Sequence, residues 1–253
     1  MPLLDLLSPL PGGLNLSLVA LSVLTSMISA SAGIGGGTLL ISAMAQVMPA
    51  AALIPVHGMV QLGSNAGRAS MTWRHIDRRV IAAFLPGVLL GALLAAWLLV
   101  RLPSGVLELT IAGFVLFSCW GPAPSARALG RVGTMLAGAL TTLLSSLVGA
   151  SGPLVGSFIK HSQSERMARV ATFSACMSLQ HLTKAFVFGV AGFVFHDWLG
   201  LMAAMIAAGL AGTWLGLRLL KRLSDARFDG LFKWVLTLLA LRLAWLGIDR
   251  LLG

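Results

Sequence analysis

Charged residues are scarce in this sequence of 253 residues, where Asp, Glu, Lys and Arg together make up 10%. A soluble domain carries about 25% charged residues, because its surface must face water. Hydrophobic residues instead reach 57%, and the mean hydropathy is +0.92. This composition excludes a soluble globular domain and a disordered chain. It predicts a polytopic α-helical membrane protein with at most about eight to ten membrane segments.

Cysteine is nearly absent. The two cysteines, Cys119 and Cys176, are too few for a secreted disulfide scaffold. Both lie inside apolar segments, where we expect them to pack as small side chains. The first fifteen residues contain no Lys or Arg, so we do not expect a cleaved signal peptide.

Acidic residues are also few, eight against eighteen Lys and Arg, which gives a net charge of +10. No basic run is interleaved with aromatic residues, so nucleic acid is not a predicted partner. In a membrane protein the basic residues collect in cytoplasmic loops and set the topology.

Gly, Pro and charged residues divide the chain into ten apolar segments. The second and the seventh are too short to span a membrane, since as helices they would cover only about 12 to 17 Å. Each follows a full-length segment across a glycine-rich break, at 33–37 or 149–153, which indicates a re-entrant hairpin or a broken helix. Two full crossings stay open as an alternative. The segments are 14–32, 38–48, 51–71, 79–100, 105–120, 131–149, 153–160, 167–190, 198–220 and 228–250.

The two halves of the chain are related to each other. When the sequence is shifted by 116 residues, glycine and polar positions of the first half coincide with those of the second half. After a five-residue insertion near 191–196 the match continues, with Gly91 on Gly212. We therefore predict a single membrane transport domain, 1–253, built from repeats at 14–120 and 131–250, as is common in secondary transporters. A shift of 116 residues places Gly33 on Gly149, Gly36 on Gly152, Asn65 on His181 and Arg68 on Lys184.

The basic residues predict how the repeats are oriented. With the loop 72–79 in the cytoplasm, the loops 121–131, 160–169 and 221–227 fall on the same side, and the four together hold eleven Lys and Arg. Only Arg101 and Arg250 fall in loops on the opposite side. By the positive-inside rule this bias sets the topology. Each repeat has five segments, an odd number, so the second repeat is expected to be inverted relative to the first.

The ionisable groups predicted to lie deep in the membrane are basic: His57, Arg68, His181 and Lys184, with Arg242 as a further candidate. A charge at bilayer depth is costly, so such residues usually face a cavity or a ligand. No acidic residue is predicted beside them. The missing partner is therefore expected to be an anion from solution.

The eight acidic residues are predicted to lie away from the membrane centre. Glu108 and Asp229 are placed in the first turns of helices, where a carboxylate suits the helix dipole. The other six are placed in loops or at segment ends.

Helical spacing groups the deep basic residues and the polar side chains near them into two stripes. Those on segment 51–71 fall within about 60° of arc, and those on segment 167–190 within about 120°. The alternative interpretation is that these groups form polar contacts between helices and that Arg68 and Arg242 extend to the membrane surface. The first stripe is His57, Gln61, Ser64 and Arg68, and the second is Ser174, Ser178, His181 and Lys184.

The glycine breaks add a second kind of anion site. Helices that begin at Thr38 and Pro153 would point free N–H groups and positive dipole ends at a cavity, an arrangement that binds anions. Glycine also lets the backbone approach a ligand closely. The predicted substrate-binding residues are Gly35, Gly36, Gly37, Thr38, His57, Gln61, Arg68, Ser151, Gly152, Ser178, His181 and Lys184.

Other chemistry has little support in the sequence. Histidines with eleven methionines could suggest a metal permease, but no ligand cluster with metal-binding spacing is present. Phosphate-loop, dinucleotide-binding and nucleophile-elbow motifs are absent. We therefore predict neither an enzyme nor a bound cofactor or metal.

Four sequence features resemble the TauE/SafE family of sulfite exporters. They are the glycine run 33–37 after the first membrane segment, the run 73–79 after the helix that carries Arg68, and, in the second half, the runs 149–153 (Gly-Ala-Ser-Gly-Pro) and 180–184 (Gln-His-Leu-Thr-Lys). The resemblance covers nearly the whole chain. It implies a bacterial inner-membrane permease for anions such as sulfite, sulfonates or sulfoacetate. The second glycine motif, 149–153, is not a copy of the first, so the two half-sites need not be equivalent.

Together these observations predict a multi-pass secondary transporter of the cell inner membrane, all-α, with two inverted repeats. Each repeat would contain one glycine-broken hairpin and three spanning helices. Its partners are a small anion and the lipid bilayer, and a homo-oligomer is compatible with the sequence. The bound anion would hydrogen-bond to His57 and His181, or these would carry a proton with it. A negative cell interior favours export. A passive anion channel and a non-transporting scaffold are the alternatives.

Overall fold

The computed structural model describes residues 2–32, 35–98, 104–121, 130–219 and 225–252. Every regular element in these ranges is helical, which confirms the predicted all-α fold. Single 3₁₀ turns lie at Trp73–His75 and His196–Trp198. The helices are α1 (Pro2–Asp5), α2 (Gly12–Ala32), α3 (Gly36–Met44), α4 (Ala50–Met71), α5 (Arg78–Leu98), α6 (Ser104–Trp120), α7 (Arg131–Val148), α8 (Gly152–Ser162), α9 (Arg166–Val190), α10 (Leu199–Leu219) and α11 (Asp225–Leu252).

Some residues used in the sequence predictions lie outside the described part of the chain. They include two residues of the first glycine break and several loop arginines and lysines. They are Gly33, Ile34, Arg101, Arg127, Lys221 and Arg222, together with the side chains of Arg227 and Asp229.

Several helices are long and apolar enough to cross a membrane. Within the described residues these are Gly12–Ser31, Arg78–Leu98, Arg131–Val148 and His196–Leu219. Helices α4 and α9 have 22 and 25 residues, so they are long enough too, but they carry more polar side chains. The chain is a polytopic membrane protein, as its composition predicts.

Helices α3 and α8 are the short arms expected after the glycine breaks. They have 9 and 11 residues and therefore extend only about 14 and 17 Å. The hydrocarbon core of a bilayer is about 30 Å thick. Neither helix can cross it alone. The sequence left open either short arms or full crossings at these positions, and the structure has the short arms.

The helices pack in a pattern that repeats between the two halves. Helix α2 lies along α10, and α5 lies along α7, while α4 and α9 pack against each other. Helix α4 also contacts α10, and α9 also contacts α5. Helices α6 and α11 form a further pair that contacts α3. The α2–α10 and α5–α7 contacts thus form one matched pair, and the α4–α10 and α9–α5 contacts form a second, as two related repeats would give. The inversion of the repeats stays a prediction.

Glycines allow the two long pairs to approach closely at matched positions. A methyl group at Gly91 on α5 would overlap the backbone carbonyl of Ala139 on α7, and one at Gly212 on α10 would overlap the carbonyl of Val23 on α2. Val23 and Ala139 are related by the same 116-residue shift. Without a large interhelical hydrophobic effect in lipid, such small-residue contacts hold membrane helices together.

The prediction for Glu108 is wrong. Helix α6 begins at Ser104, so Glu108 lies beyond its first turn. Its side chain is 3% exposed and accepts a hydrogen bond from Arg250 on α11. Arg250 itself belongs to the last turn of α11 and not to a loop. A buried carboxylate therefore exists, but it neutralises an arginine of the α6–α11 pair and not the central cations.

The turn between α4 and α5 is held to the second half by Asp77. Its Oδ2 accepts a hydrogen bond from Gln163 Nε2 at 2.7 Å, and its backbone N–H donates to Thr172 Oγ1 at 3.0 Å. Partial burial raises the pKa of the Asp77 carboxyl, but the hydrogen bonds from Gln163 and from the backbone N–H groups of Val80 and Arg79 outweigh it and hold the pKa below its ordinary value. The carboxylate form thus stabilises this connection.

Candidate functional site

The two glycine breaks bring the starts of α3 and α8 to one place. Gly35 precedes α3 with φ +104° and Gly149 ends α7 with φ +81°, values that favour glycine because other side chains are strained there. A methyl group at Gly152 would lie 3.9 Å from Thr38 Oγ1. Neither helix start is capped by a side chain. The positive ends of two helices therefore converge without a polar side chain to satisfy them.

A narrow cavity lies at this convergence. It brings together residues from both halves of the chain, including most of those predicted to bind substrate. Eight of the twelve predicted residues line it: Gly35, Gly37, Thr38, His57, Gln61, Ser151, Gly152 and His181. The other residues of its wall are Ser29, Asn65, Gly149, Ala150, Phe173 and Met177.

The two histidines are the titratable groups in the cavity wall. The exposed fractions of His57 and His181 are 2% and 1%, and their ring centroids lie 6.1 Å apart. His57 Nε2 is 3.0 Å from the carbonyl oxygen of Gly37. Because a carbonyl only accepts, that nitrogen carries the proton. Among the described residues, His57 Nδ1 and both ring nitrogens of His181 have no hydrogen-bond partner.

Arg68 lies behind the cavity wall and does not extend to a membrane surface. Its side chain is 1% exposed. One guanidinium nitrogen donates to Asn65 Oδ1 and Ser174 Oγ, both at 3.4 Å. Asn65 in turn donates to Gln61 Oε1 at 3.0 Å. A polar chain therefore links Arg68 to the cavity through two residues that line it.

Lys184 also lies one residue behind the wall. It is fully buried, and its Nζ donates to the carbonyl oxygen of Gly149 at 3.1 Å. Gly58 makes room for this side chain, since a methyl group there would lie 3.0 Å from Lys184 Cδ. In the described part of the chain, neither Lys184 nor Arg68 forms an ion pair with an acidic residue.

The remaining predicted residues do not line the cavity. Gly36 packs against the backbone of Thr25 on α2. Ser178 is half-buried and donates to the carbonyl of Ser174 on its own helix at 2.7 Å. Arg242 is exposed on α11, apart from the central set.

Sequence reasoning missed part of the wall. Ser151 Oγ donates to Gln180 Oε1 at 2.8 Å, and Gln180 Nε2 donates to Thr141 Oγ1 at 2.6 Å, so Gln180 positions the residue before α8. Ser29 lines the cavity from α2. The 116-residue shift carried a signal for this region, because it places Thr25 on Thr141 and Ser29 on Ser145.

Comparisons with known proteins place the chain in one group. The family model described as "Sulfite exporter TauE/SafE" matches residues 18–243, which is most of the chain and includes both glycine breaks and all the cavity residues. No curated protein and no solved structure matches it.

Proposed function

The chain belongs to the TauE/SafE sulfite exporter family, and from this premise we propose that it is a secondary transporter that carries small sulfur-containing anions out of the cell. The family implies a membrane transporter of sulfite or a related anion. The proposed substrate class is sulfite, sulfonates and sulfoacetate. We assign transport and not catalysis, with the cavity between α3 and α8 as the substrate site.

The observation that carries this proposal is the convergence of two uncapped helix starts on one buried cavity. Backbone N–H groups at a helix start lack intrahelical partners, and the helix dipole places partial positive charge there. Sulfate-like and carboxylate-like groups bind at such positions. Here Thr38 Oγ1, which is buried and has no partner among the described residues, supplies a further donor for an oxyanion.

The two buried cations also favour an anionic ligand. Arg68 and Lys184 bond only to neutral atoms in the described residues. A buried cation without a counter-ion is costly, and an anion in the cavity would lower that cost for both. Because the two cations lie behind Asn65 and Gly149, we propose that they act through the electrostatic field and not by direct contact.

Alternating access is proposed to come from the two repeats. The matched helix contacts and the matched close approaches at Gly91 and Gly212 support a duplicated architecture. In inverted-repeat transporters one bundle rocks against the other around a central site. The short helices α3 and α8, one from each half, meet at the cavity and suit such a site.

Orientation and direction are proposed from charge. The four basic loops would lie in the cytoplasm by the positive-inside rule, with both ends of the chain on the opposite side. The inner membrane is the proposed location because the family implies a bacterial inner-membrane permease. A negative cell interior drives anions outward. Export is therefore the proposed direction.

The first test is anion binding by the purified protein. Sulfite, sulfate, methanesulfonate and acetate are added separately, and the unfolding temperature is measured. An anion that binds the folded state raises this temperature. We expect at least one of the sulfur oxyanions to do so more strongly than acetate. No shift with any of them would contradict the proposed site.

The second test is transport in liposomes. Arg68→Ala and Lys184→Ala are expected to abolish uptake of labelled sulfite while the protein stays folded, whereas Arg74→Ala and Lys160→Ala, at exposed positions, should transport normally. Counterflow of labelled substrate against an unlabelled gradient would identify a carrier, and its absence a channel. Full transport by both buried variants would contradict the assigned role of these cations.

A further inference from the structure

His181 is a buried imidazole in the cavity wall whose hydrogen-bonding capacity the described residues do not satisfy. It is 1% exposed, and neither of its ring nitrogens has a partner among the described residues. Buried polar groups nearly always have a partner, which can be a ligand or ordered water. A neutral imidazole has one donor and one acceptor nitrogen. An anion can only accept, so it can pair with the donor nitrogen of neutral His181 but not with the acceptor nitrogen, whereas both nitrogens of the protonated ring are donors.

The charges around His181 favour its neutral form when no anion is bound. Lys184 lies one turn along the same helix, on the same face, and His57 faces the ring from α4. Arg68 lies further along α4. The other elements that pack on α9 are α5, α7, α8 and the 3₁₀ turn Trp73–His75. Their described charged or titratable groups lie at the ends of these elements: Arg74, His75, Arg78, Arg79, Arg131, Lys160 and His161.

An anion bound in the cavity would instead favour the protonated form of His181. Its charge offsets the repulsion from Lys184, and its oxygens accept from the new N–H. His57 cannot supply the same donor without protonation, because its one N–H is already used by the Gly37 carbonyl. One imidazole is thus held in place by a hydrogen bond, and the second has no hydrogen-bond partner within the ranges that the structure describes.

We propose, resting on the proposed function, that each anion binds together with one proton, which is taken up from solvent by the free ring nitrogen of His181. The neutral imidazole gains the proton and becomes an imidazolium that donates to the anion. His57 is a positioning residue in this scheme. Proton and anion binding are then coupled, and each strengthens the other.

The experiment is isothermal titration calorimetry of purified protein with methanesulfonate, whose charge does not change between about pH 5 and pH 8, the range in which histidine ordinarily titrates. The titration is repeated in buffers with different ionisation enthalpies. The dependence of the observed heat on the buffer gives the number of protons taken up. We expect about one proton per anion above the range in which free His181 is protonated, and an affinity that falls about tenfold per pH unit there.

His181→Gln is the test variant, since glutamine keeps hydrogen-bonding capacity but cannot be protonated. His161→Gln, at an exposed position, is the matched control. The first variant should bind with no proton uptake and no dependence on pH, and the control should match the wild type. With sulfite as ligand, its own protonation contributes to both proteins, so the difference between wild type and His181→Gln should still be about one proton.

The possible results separate this inference from the proposed function. Anion binding by the wild type without proton uptake would overturn the inference and leave the anion site standing. Proton uptake that persists in His181→Gln would also overturn it, since another group would be the acceptor. If no anion binds to the wild type at any pH, the proposed function itself fails. The wild-type measurement decides the matter even if the variant does not fold.

Discussion

Lys184→Met separates the role of a buried cation in function from its role in stability. Lys184 is fully buried, and its ammonium group donates a hydrogen bond to the Gly149 carbonyl. Methionine has a similar length and no charge, so it can follow the same path beside Gly58. The substitution removes the positive charge near the cavity while it keeps most of the packing.

The two effects on stability have opposite signs. A lysine at the centre of a membrane helix costs about 2.5–3.5 kcal/mol, which the variant no longer pays. Loss of the charged hydrogen bond to Gly149 costs about 1.5–3 kcal/mol. The ligand-free variant is therefore expected to be between about 0.5 kcal/mol less stable and about 2 kcal/mol more stable than the wild type.

Ligand binding should change much more. A ligand at a hundred times its Kd stabilises the folded state by about 2.7 kcal/mol. At about 2–4 °C per kcal/mol for a chain of this size, the wild type should gain about 5–10 °C. We expect Lys184→Met to lose most of this gain, because the anion no longer offsets a buried positive charge.

The assay is thermal unfolding in detergent, with and without the anion that stabilises the wild type most. Lys160→Met, at the exposed end of α8, controls for loss of a lysine as such. A ligand-dependent shift in Lys184→Met equal to that of the wild type would refute the reasoning. So would a large loss of stability in the ligand-free variant, since it would make Lys184 a structural residue.

Three further predictions concern the fold. Gly91→Leu should lower the free energy of unfolding by about 1–3 kcal/mol through overpacking at the α5–α7 crossing, whereas Gly113→Leu, which points into open space, should change it by less than about 0.5 kcal/mol. Glu108→Gln should lower the unfolding temperature, because it weakens the bond to Arg250, but it should leave sulfite transport intact. Loss of transport would instead place the Glu108–Arg250 pair in the substrate site. The pKa of Asp77 is lowered in the folded state. The stabilisation that its carboxylate gives the folded protein is therefore present above the ordinary pKa and is lost as the pH falls through the lowered pKa. Asp77→Asn should therefore reduce the difference in unfolding temperature between neutral pH and about pH 3. An unchanged difference would contradict this prediction.

The family and the fold class could be predicted from the sequence because both depend on local features. Scarce charge and long apolar segments are sufficient to predict a polytopic helical membrane protein. The glycine runs and the stripe from His57 to Arg68 also lie within single segments. For the same reason the short helices α3 and α8 were expected after the glycine breaks.

The candidate site was predicted in part. Spacing along one helix indicates which side chains share a face, and this brought His57, Gln61 and His181 into the set. It does not give the distance between helices, so Arg68 and Lys184 were expected to contact the ligand. The structure places Asn65 and Gly149 between these cations and the cavity.

By itself the sequence determined the helices, the two breaks and the excess of buried basic residues, because hydrophobic period, glycine and charge act within one segment. Only the tertiary structure decided which residues meet: that the starts of α3 and α8 face each other, that Glu108 is buried against Arg250, and that both nitrogens of His181 lack a partner in the described part of the chain. These facts depend on how closely helices from different parts of the chain approach. That approach is set by contacts such as Gly91 on Ala139, which no single segment contains.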